Sequence, residues 1–137
     1  MDKIIWNSTY ETSIENIDFQ HRILVERLND IIELQARGEG QKHLFELLVF
    51  LEGYANYHFQ TEEIIFKSFP YTNTRDHIAS HNFFRKKIND FKEKYSLGES
   101  SIDTELIAFL SKWLLDHILG TDKHMAMEYF NLLKEKR

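Results

Sequence analysis

Apolar residues recur along most of the chain at spacings of three and four, the repeat of helices that pack one face inward. The first such segment runs from about residue 17 to 37, the second from about 41 to 67 and the third from about 74 to 95. The fourth starts near Ser101, and a helical segment continues from about 121 to 135. No stretch shows the alternation of a β-strand, so the pattern predicts an all-α protein.

Glycine and proline stand between the predicted helices, where the chain has to turn. Gly38 and Gly40 follow the first helix, Pro70 follows the second and Gly98 follows the third. Because the connections are short, neighbouring helices are expected to run antiparallel. We therefore predict an up-down-up-down four-helix bundle, with a fourth helix that is distorted or broken.

The N-terminal segment, residues 1–16, lacks a helical repeat and is predicted to be an irregular arm. Its Trp6 and Tyr10 are expected to pack on the body of the bundle. A length of 137 residues suits one domain with a single core, so residues 1–137 are interpreted as one domain.

The composition narrows the class of function. The net charge is −5, and charges of both signs are spread along the helices, which leaves no basic face for nucleic acid. The absence of cysteine excludes disulfides, thiolate metal sites and cysteine nucleophiles. No apolar run reaches membrane-spanning length and the N-terminus lacks a signal-peptide pattern, so we expect a cytoplasmic protein without membrane association.

Each apolar stripe, when continued along its helix, passes through an ionisable residue. A single histidine on an apolar face is more often a hydrogen-bonded core residue than a ligand. Here, however, burying so many unpaired polar groups would cost several kcal/mol each, and a metal centre would satisfy them together. His43 and His124 lie off the stripes beside lysines and are interpreted as surface residues. The residues on the inward face are His21 on the first helix, His58 and Glu62 on the second, His77 and His81 on the third, and His117 on the fourth, with Asp122 five residues later.

The type of ligand indicates the metal. Five imidazoles and two carboxylates are too many for a tetrahedral zinc and too rich in nitrogen for calcium or magnesium. The set suits iron, with manganese, copper and zinc as weaker alternatives. Two octahedral ions need about twelve ligand positions, of which the histidines, two bridging carboxylates and a solvent-derived oxygen bridge fill about eleven. One position would remain open to a small external ligand.

The spacing of His117 and Asp122 predicts a distortion. Residues five apart on a regular helix are offset by roughly 140°, so they do not share a face. For both side chains to reach one centre, the helix must deform, and a π-bulge is the usual device at functional sites. Gly120 lies between the two residues and is expected to ease the deformation.

Acidic residues near the inward histidines are candidates to orient the imidazoles through their outer ring nitrogens. Asp18 precedes His21 by one turn, and Glu63 follows Glu62. The alternative interpretation is equally favoured: Asp18 would be a helix-start acid and Glu63 a surface acid. The apolar stripe selects Glu62 as the inward member of the glutamate pair, since it follows His58 by four residues.

The ordered set of motifs resembles the hemerythrins, and specifically the single-domain bacteriohemerythrins. Two small departures affect no ligand: Phe69-Pro70-Tyr71 stands where the family usually has Tyr-Pro, and Phe66 stands where a methionine is common. The shared features cover nearly the whole chain: Trp6, Ile17-Asp18-Phe19-Gln20-His21, His58-x-x-x-Glu62 followed by Glu63, an aromatic-Pro pair before His77-x-x-x-His81, Trp113-Leu114-x-x-His117-Ile118, and Asp122-Lys123.

The resemblance implies a single hemerythrin-like domain over residues 1–137 that binds O₂ reversibly at a non-haem di-iron centre. The protein would be an oxygen carrier, for storage or delivery, and not an enzyme. Its two irons would share an oxo or hydroxo bridge, and O₂ would be the external ligand. The family pattern implies that His77, His81 and His117 hold one iron, that His21 and His58 hold the other, and that Glu62 and Asp122 bridge them.

Two other classes of function remain open at the level of sequence. One is a di-iron oxidase, peroxidase or nitric-oxide-scavenging enzyme, and the other is an O₂ or redox sensor that acts through a separate protein. Neutral imidazoles favour the carrier, because ferritin-like di-iron oxidases use mostly glutamates with Glu-x-x-His motifs. The sequence identifies no protein partner, and a monomer is expected.

Overall fold

The computed structural model describes residues 2–135, and within that range the chain forms helices and no strand. This confirms the all-α prediction. The elements are α1 (Glu15–Ala36), α2 (Leu44–Lys67), α3 (Thr74–Ser96), α4 (Ile102–Asp116), a π-helical segment (His117–Asp122) and α5 (Lys123–Glu135). The helix α1 packs against α2 and α4, and α3 packs against the same two helices, as in a closed four-helix bundle.

Glycine ends two of the helices in the way that the sequence predicts. Gly38 and Gly98 both have φ of +75°, the left-handed conformation that glycine adopts without steric cost. After α1 the amide of Gly38 donates to Gln35 O and the amide of Glu39 donates to Leu34 O, at 2.9 and 2.8 Å. The same pair of bonds follows α3, so each helix closes with a Schellman motif that pairs its last carbonyls.

The helix α2 begins at Leu44, three residues later than the apolar repeat indicates. The side chain of Gln41 explains the difference, because it is engaged by the connection between α3 and α4. Its amide donates to Glu99 O at 3.2 Å, and its carbonyl oxygen accepts from the amide of Asp103 at 3.4 Å. These bonds hold residues 41–43 in a turn, so the helix begins only at Leu44.

The core consists of two apolar clusters with the polar residues between them. The larger cluster includes Phe59 and most of the inward leucines and isoleucines. The smaller one contains Ile17, Phe66 and Met125. Along α2 the order is Phe59, Glu62, Phe66, so the polar residues occupy a layer that has apolar packing on both sides.

The N-terminal arm packs on the bundle, as predicted. Trp6 and Tyr10 lie against the larger core cluster, and a short 3₁₀ turn spans Ser8–Tyr10. The side chain of Asn29 on α1 bonds both the amide and the carbonyl of Ile4, each at 2.8 Å. The arm is therefore fixed by hydrogen bonds from the Asn29 side chain to its backbone as well as by apolar contact.

Tyr95 and Leu133 continue the apolar repeats of the third helix and of the last helical segment, which predicts inward positions, yet both lie at the surface. Tyr95 is 36% exposed and Leu133 is 40% exposed. Both lie near the C-terminal ends of their helices, α3 and α5. The ring of Tyr95 packs against the exposed ring of Phe45, with centroids 5.6 Å apart.

Within residues 2–135, every helix is too short or too polar to span a bilayer.

Candidate metal centre

The ionisable residues predicted to share the inward face meet at one place in the bundle. None of them exposes more than 3% of its surface. The structure thus brings together every residue that the sequence assigned to the site. They are His21 from α1, His58 and Glu62 from α2, His77 and His81 from α3, and His117 and Asp122 from the two ends of the π-helical segment.

Four of these side chains surround one point, which we call the three-histidine position. The Nε2 atoms of His81 and His117 lie 3.0 and 3.1 Å from Glu62 Oε1. This spacing is small enough for a single cation to contact all four groups. The position is formed by Glu62, His77, His81 and His117, whose ligand atoms lie within 4.8 Å of one another.

A second point, which we call the two-histidine position, lies beside the first. It is formed by His21, His58, Glu62 and Asp122, again with ligand atoms within 4.8 Å of one another. The two imidazole rings stand edge to face with centroids 4.5 Å apart. Glu62 belongs to both positions.

Asp122 also faces both positions, with one oxygen toward each. Its Oδ1 is 3.0 Å from the Nε2 atoms of His77 and of His117. Its Oδ2 is 2.6 Å from His21 Nε2 and 4.0 Å from His58 Nε2. A carboxylate so placed has the geometry of a bridge between two cations.

Several inward atoms are close to a neighbour but make no hydrogen bond within the described chain. His21 Nε2 and Asp122 Oδ2, for example, are 2.6 Å apart without alignment for a hydrogen bond. Buried polar atoms are nearly always paired, and cations at the two positions would pair these. The unpaired atoms that face the two positions are Nε2 of His21, His58 and His77, Oε2 of Glu62, and both carboxylate oxygens of Asp122; Nδ1 of His21 also lacks a partner.

The pKa values of the cluster residues also indicate that the two buried carboxylates are stabilised by positive charge. Burial opposes ionisation of Glu62, but His58 and His117 hold its pKa well below the usual value. Burial and Glu62 also work against ionisation of Asp122, yet His117 lowers the pKa of Asp122 to about 2. Burial disfavours charge on His117, but Asp122 and Glu62 raise its pKa to about 10. Without a cation, an imidazolium has to neutralise the carboxylates; a bound metal would take over that role and release the proton.

The outer ring nitrogens of four histidines are held by side chains outside the cluster. This arrangement turns each Nε2 inward and fixes the orientation of the ring. Of these partners the sequence predicted only Glu63, and its predicted role next to an inward imidazole is confirmed. The Nδ1 contacts are Gln20 Oε1 to His58 at 2.7 Å, Tyr71 Oη to His77 at 3.1 Å, Glu63 Oε2 to His81 at 3.1 Å, and Ser80 Oγ to His117 at 3.3 Å.

Of the two roles that the sequence left open for Asp18, the structure supports the helix-start acid and not the orientation of a histidine. Its Oδ1 accepts from the amide and the hydroxyl of Thr12, each at 2.8 Å, and its Oδ2 accepts from the amide of Ser13 at 3.1 Å. Asp18 therefore pairs the backbone where the arm enters α1, which is the alternative role of a helix-start acid.

Burial raises the pKa of Tyr71 to about 12, so the hydroxyl that touches His77 stays neutral.

The predicted distortion of the fourth helix is confirmed. The six residues from His117 to Asp122 form a π-helical segment between α4 and α5. The wider turn brings two residues five apart onto one face, so both reach the cluster. Gly120 lies in this segment, but its φ is not positive and a β-carbon there would meet nothing within 4 Å. The bulge therefore does not require glycine at that place.

The two remaining histidines stay outside the cluster, as predicted. The side chain of His124 is 52% exposed and pairs with Glu128 at 2.7 Å. His43 is partly exposed and precedes the first residue of α2.

Aromatic rings enclose the cluster. Phe59 stacks on His81 with centroids 4.0 Å apart, and Trp113 stacks on His117 at 4.4 Å. Phe66 lies 4.8 Å from the ring of His77. These rings separate the ligand atoms from water and strengthen every electrostatic interaction between them.

The fold and the site together define a four-helix bundle with a buried histidine and carboxylate cluster that is able to hold metal ions. The family model described as Hemerythrin HHE cation binding domain matches residues 12–129. The chain belongs to the hemerythrin family.

Individual relatives agree with this assignment. A bacteriohemerythrin of Pseudomonas aeruginosa (strain LESB58) is 30% identical over 124 residues, which cover 89% of this chain and 78% of that protein. A myohemerythrin of Theromyzon tessulatum is 28% identical over 117 residues, covering 85% and 86%. The crystal structure of a hemerythrin variant superposes with a TM-score of 0.75 at 25% identity, over 90% of this chain and 94% of that one.

Proposed function

We propose that this protein binds O₂ reversibly at a non-haem di-iron centre and acts as an oxygen carrier. The observation that carries the proposal is a buried set of five histidines with two shared carboxylates. In this assignment one iron lies at the three-histidine position and the other at the two-histidine position. Glu62 and Asp122 would serve as ligands to both irons, because each carboxylate faces both positions.

The two positions differ in how many protein ligands they offer. The three-histidine position has three imidazoles, whereas the two-histidine position has His21 and His58. We assign the open ligand position, and hence the binding of O₂, to the two-histidine side. The buried apolar residues one turn from these histidines are Ile17, Leu24 and Val25 beside His21 and Ala55 beside His58. They favour O₂ over water as the external ligand.

The chemistry of the site follows from its ligands. Two iron ions held in this way would supply the electrons that O₂ accepts on binding and returns on release. The protein contributes fixed imidazoles, two bridging carboxylates and an apolar enclosure. The stacked rings of Phe59 and Trp113 keep the site dry, which opposes release of O₂ in a reduced form.

The inventory of buried polar groups supports a carrier more than an enzyme. Apart from the proposed ligands, the buried polar residues between positions 2 and 135 are Thr12, Asp18 and Gln20, and the buried Tyr71 has its hydroxyl on His77. Thr12 and Asp18 bond each other, and Gln20 holds His58. No buried acid, base or nucleophile in this part of the chain stands ready to activate a second substrate.

Reversible oxygenation of reduced protein tests the proposal. The iron-loaded protein is reduced without air, its iron per chain is measured, and its visible spectrum is recorded before and after O₂ is admitted and removed. We expect about two irons per chain, as two octahedral positions require, and a charge-transfer band that vanishes when O₂ is removed. A single metal per chain, or zinc alone, would overturn the assignment.

A second measurement separates the carrier from a di-iron enzyme. Hydrogen peroxide or nitric oxide is supplied in large excess over protein, and consumption is followed. A carrier consumes an amount comparable to the protein present. Sustained turnover of either compound would replace the carrier with an enzyme.

A further inference from the structure

Glu63 is different in kind from the other groups that hold the histidines. The partners on His58, His77 and His117 are an amide oxygen and two hydroxyls, all neutral. The partner on His81 is a carboxylate, with Glu63 Oε2 at 3.1 Å from Nδ1. Within residues 2–135, this is the one cluster histidine whose outer nitrogen meets an acid. The three-histidine position therefore receives negative charge from outside, and the two-histidine position does not.

A carboxylate at this place changes the imidazole as a ligand. A hydrogen bond to an ionised acceptor is roughly twice as strong as one to a neutral acceptor. Drawing the Nδ1 proton toward Glu63 makes the Nε2 of His81 a more basic ligand. A more basic ligand binds a divalent ion more tightly and stabilises the higher oxidation state of iron.

We propose that Glu63 is a positioning residue that makes the two metal positions unequal, in affinity and in reduction potential, by acting through His81. For iron this rests on the proposed function, but the inequality of affinity applies to any divalent ion. The three-histidine position binds its ion more tightly, and an iron there is harder to reduce than it would be without Glu63.

Arg85 limits the effect. Its Nη2 lies 3.6 Å from the same oxygen of Glu63 that faces His81. The guanidinium is held in place because Nε donates to Asn56 at 2.6 Å and Nη1 donates to Asn82 at 2.9 Å. Because the guanidinium attracts the same carboxylate oxygen, it weakens the hydrogen bond between Glu63 Oε2 and His81. Removing that charge should strengthen the pull of Glu63, so variants at Arg85 and at Glu63 shift the metal in opposite directions.

The variants separate charge from shape. Glu63→Gln keeps the shape and the acceptor oxygen but removes the charge, whereas Glu63→Ala removes the contact. Gln20→Glu places a carboxylate next to Nδ1 of His58. The two-histidine position then has the same kind of outer partner that Glu63 provides at the three-histidine position. Glu52→Gln is the matched control, because it neutralises a carboxylate on the same helix that pairs with Lys92 at 2.9 Å instead of a cluster residue.

Cobalt(II) binding to the metal-free protein is the first readout, since its visible bands report each position without any need for O₂. Glu63→Gln should weaken one of the two positions about tenfold and leave the other unchanged, and Glu63→Ala should weaken it more. Gln20→Glu should strengthen the other position, and Glu52→Gln should match the parent. The proposal is overturned if Glu63→Gln leaves both positions unchanged or weakens both equally.

The reduction potential of the iron-loaded protein is the second readout. Glu63→Gln should favour the ferrous state about tenfold, which is about 59 mV for one electron. Arg85→Met should shift the potential the opposite way, a reversal that a purely structural role does not produce. Shifts of the same sign would contradict the proposal.

The outcomes distinguish this inference from the proposed function. A protein that shows no reversible oxygenation but has unequal cobalt positions that respond to Glu63→Gln refutes only the carrier role. Reversible oxygenation in a protein whose Glu63→Gln variant behaves like Glu52→Gln refutes only the role of Glu63.

Discussion

Individual residues of the cluster are identified by the face of the helix on which they lie. His58 and Glu62 are four apart and follow the apolar repeat of α2, so their depth is determined by the same rotation that buries Leu51 and Ala55. The side chains that contact the Nδ1 atoms of the histidines cannot be identified from the repeat in this way. Tyr71 reaches His77 from the connection between α2 and α3, where no helical repeat applies.

Tyr71→Phe tests the contribution of one outer partner. The change leaves the Nδ1 group of a buried histidine without its hydroxyl, so the ring is less well oriented. We expect metal affinity at the three-histidine position to fall about tenfold, by analogy with other outer partners of metal-bound histidines. Cobalt(II) titration of the metal-free protein measures the change. Tyr57→Phe, at a tyrosine that is 57% exposed, is the control and should have no effect.

At the scale of elements, the π-helical segment is the feature on which the site depends. It is forced by the five-residue interval between His117 and Asp122, which a regular helix would place on different faces. The sequence predicts the bulge correctly, and the φ of Gly120 is not positive, so the backbone there does not require glycine.

Gly120→Ala should therefore be tolerated. A β-carbon at this position meets nothing within 4 Å, and alanine loses less entropy than glycine in a helix. We expect a gain of about 0.5–1 kcal/mol in the free energy of unfolding, with metal content unchanged. Urea denaturation and metal analysis check both points.

Two further glycines provide the controls for that substitution. Gly53→Ala, in the interior of α2 with open space around it, should give a similar gain. Gly38→Ala should destabilise the protein, because φ there is +75°. If Gly120→Ala instead loses metal, then the bulge does need glycine.

The helix α5 is attached to the connection before α3 through Glu128. Its carboxylate accepts from the amide of Thr72 at 3.1 Å and from the Thr72 hydroxyl at 2.5 Å, and it pairs with His124. Slight burial acts to raise the pKa of Glu128, but the Thr72 bonds and His124 lower it below 4.5. A lowered pKa in the folded state means that ionised Glu128 stabilises the fold.

Glu128→Gln tests this attachment through its pH dependence. The contribution is complete above the unfolded pKa of 4.5 and is lost as the pH falls through the lower folded value. We expect the variant to melt below the parent at pH 7 and the difference to shrink on acidification below about 4.5. The effect is small because the group is largely solvated. A difference that persists unchanged at pH 3 would contradict this account.

At the scale of the whole molecule, the histidine and carboxylate cluster connects the helices of the bundle. The helices α1, α2 and α3 and the π-helical segment each supply at least one side chain to this cluster, and several of its atoms have no hydrogen-bond partner. Ions that bind only the folded state stabilise it by an amount that grows with their affinity. The stability of this protein should therefore depend on its metal.

Removal of metal should lower stability strongly. At a free metal concentration about a thousandfold above the dissociation constant, the loss is about 4 kcal/mol for one site. Thermal unfolding with a chelator, followed by return of the metal, measures it. His58→Ala, which removes a ligand from the two-histidine position, should lose less on chelation than the parent. Equal melting temperatures with and without metal would contradict the proposed coupling.

By itself, the sequence determined the four helices, the arm, the bulge and the seven residues of the cluster. The helices and the depth of the histidines and of Glu62 follow from local periodicity, since a residue's place in the repeat decides its face. The arm follows from the lack of a repeat, and Asp122 and the bulge follow from the five-residue interval after His117. Only the tertiary structure decided that Gln20, Tyr71 and Ser80 hold outer nitrogens, that Asp18 closes the entry to α1, and that Tyr95 lies at the surface. These features depend on which elements meet in space and where the bundle ends, and such long-range contacts leave no periodic trace in one sequence.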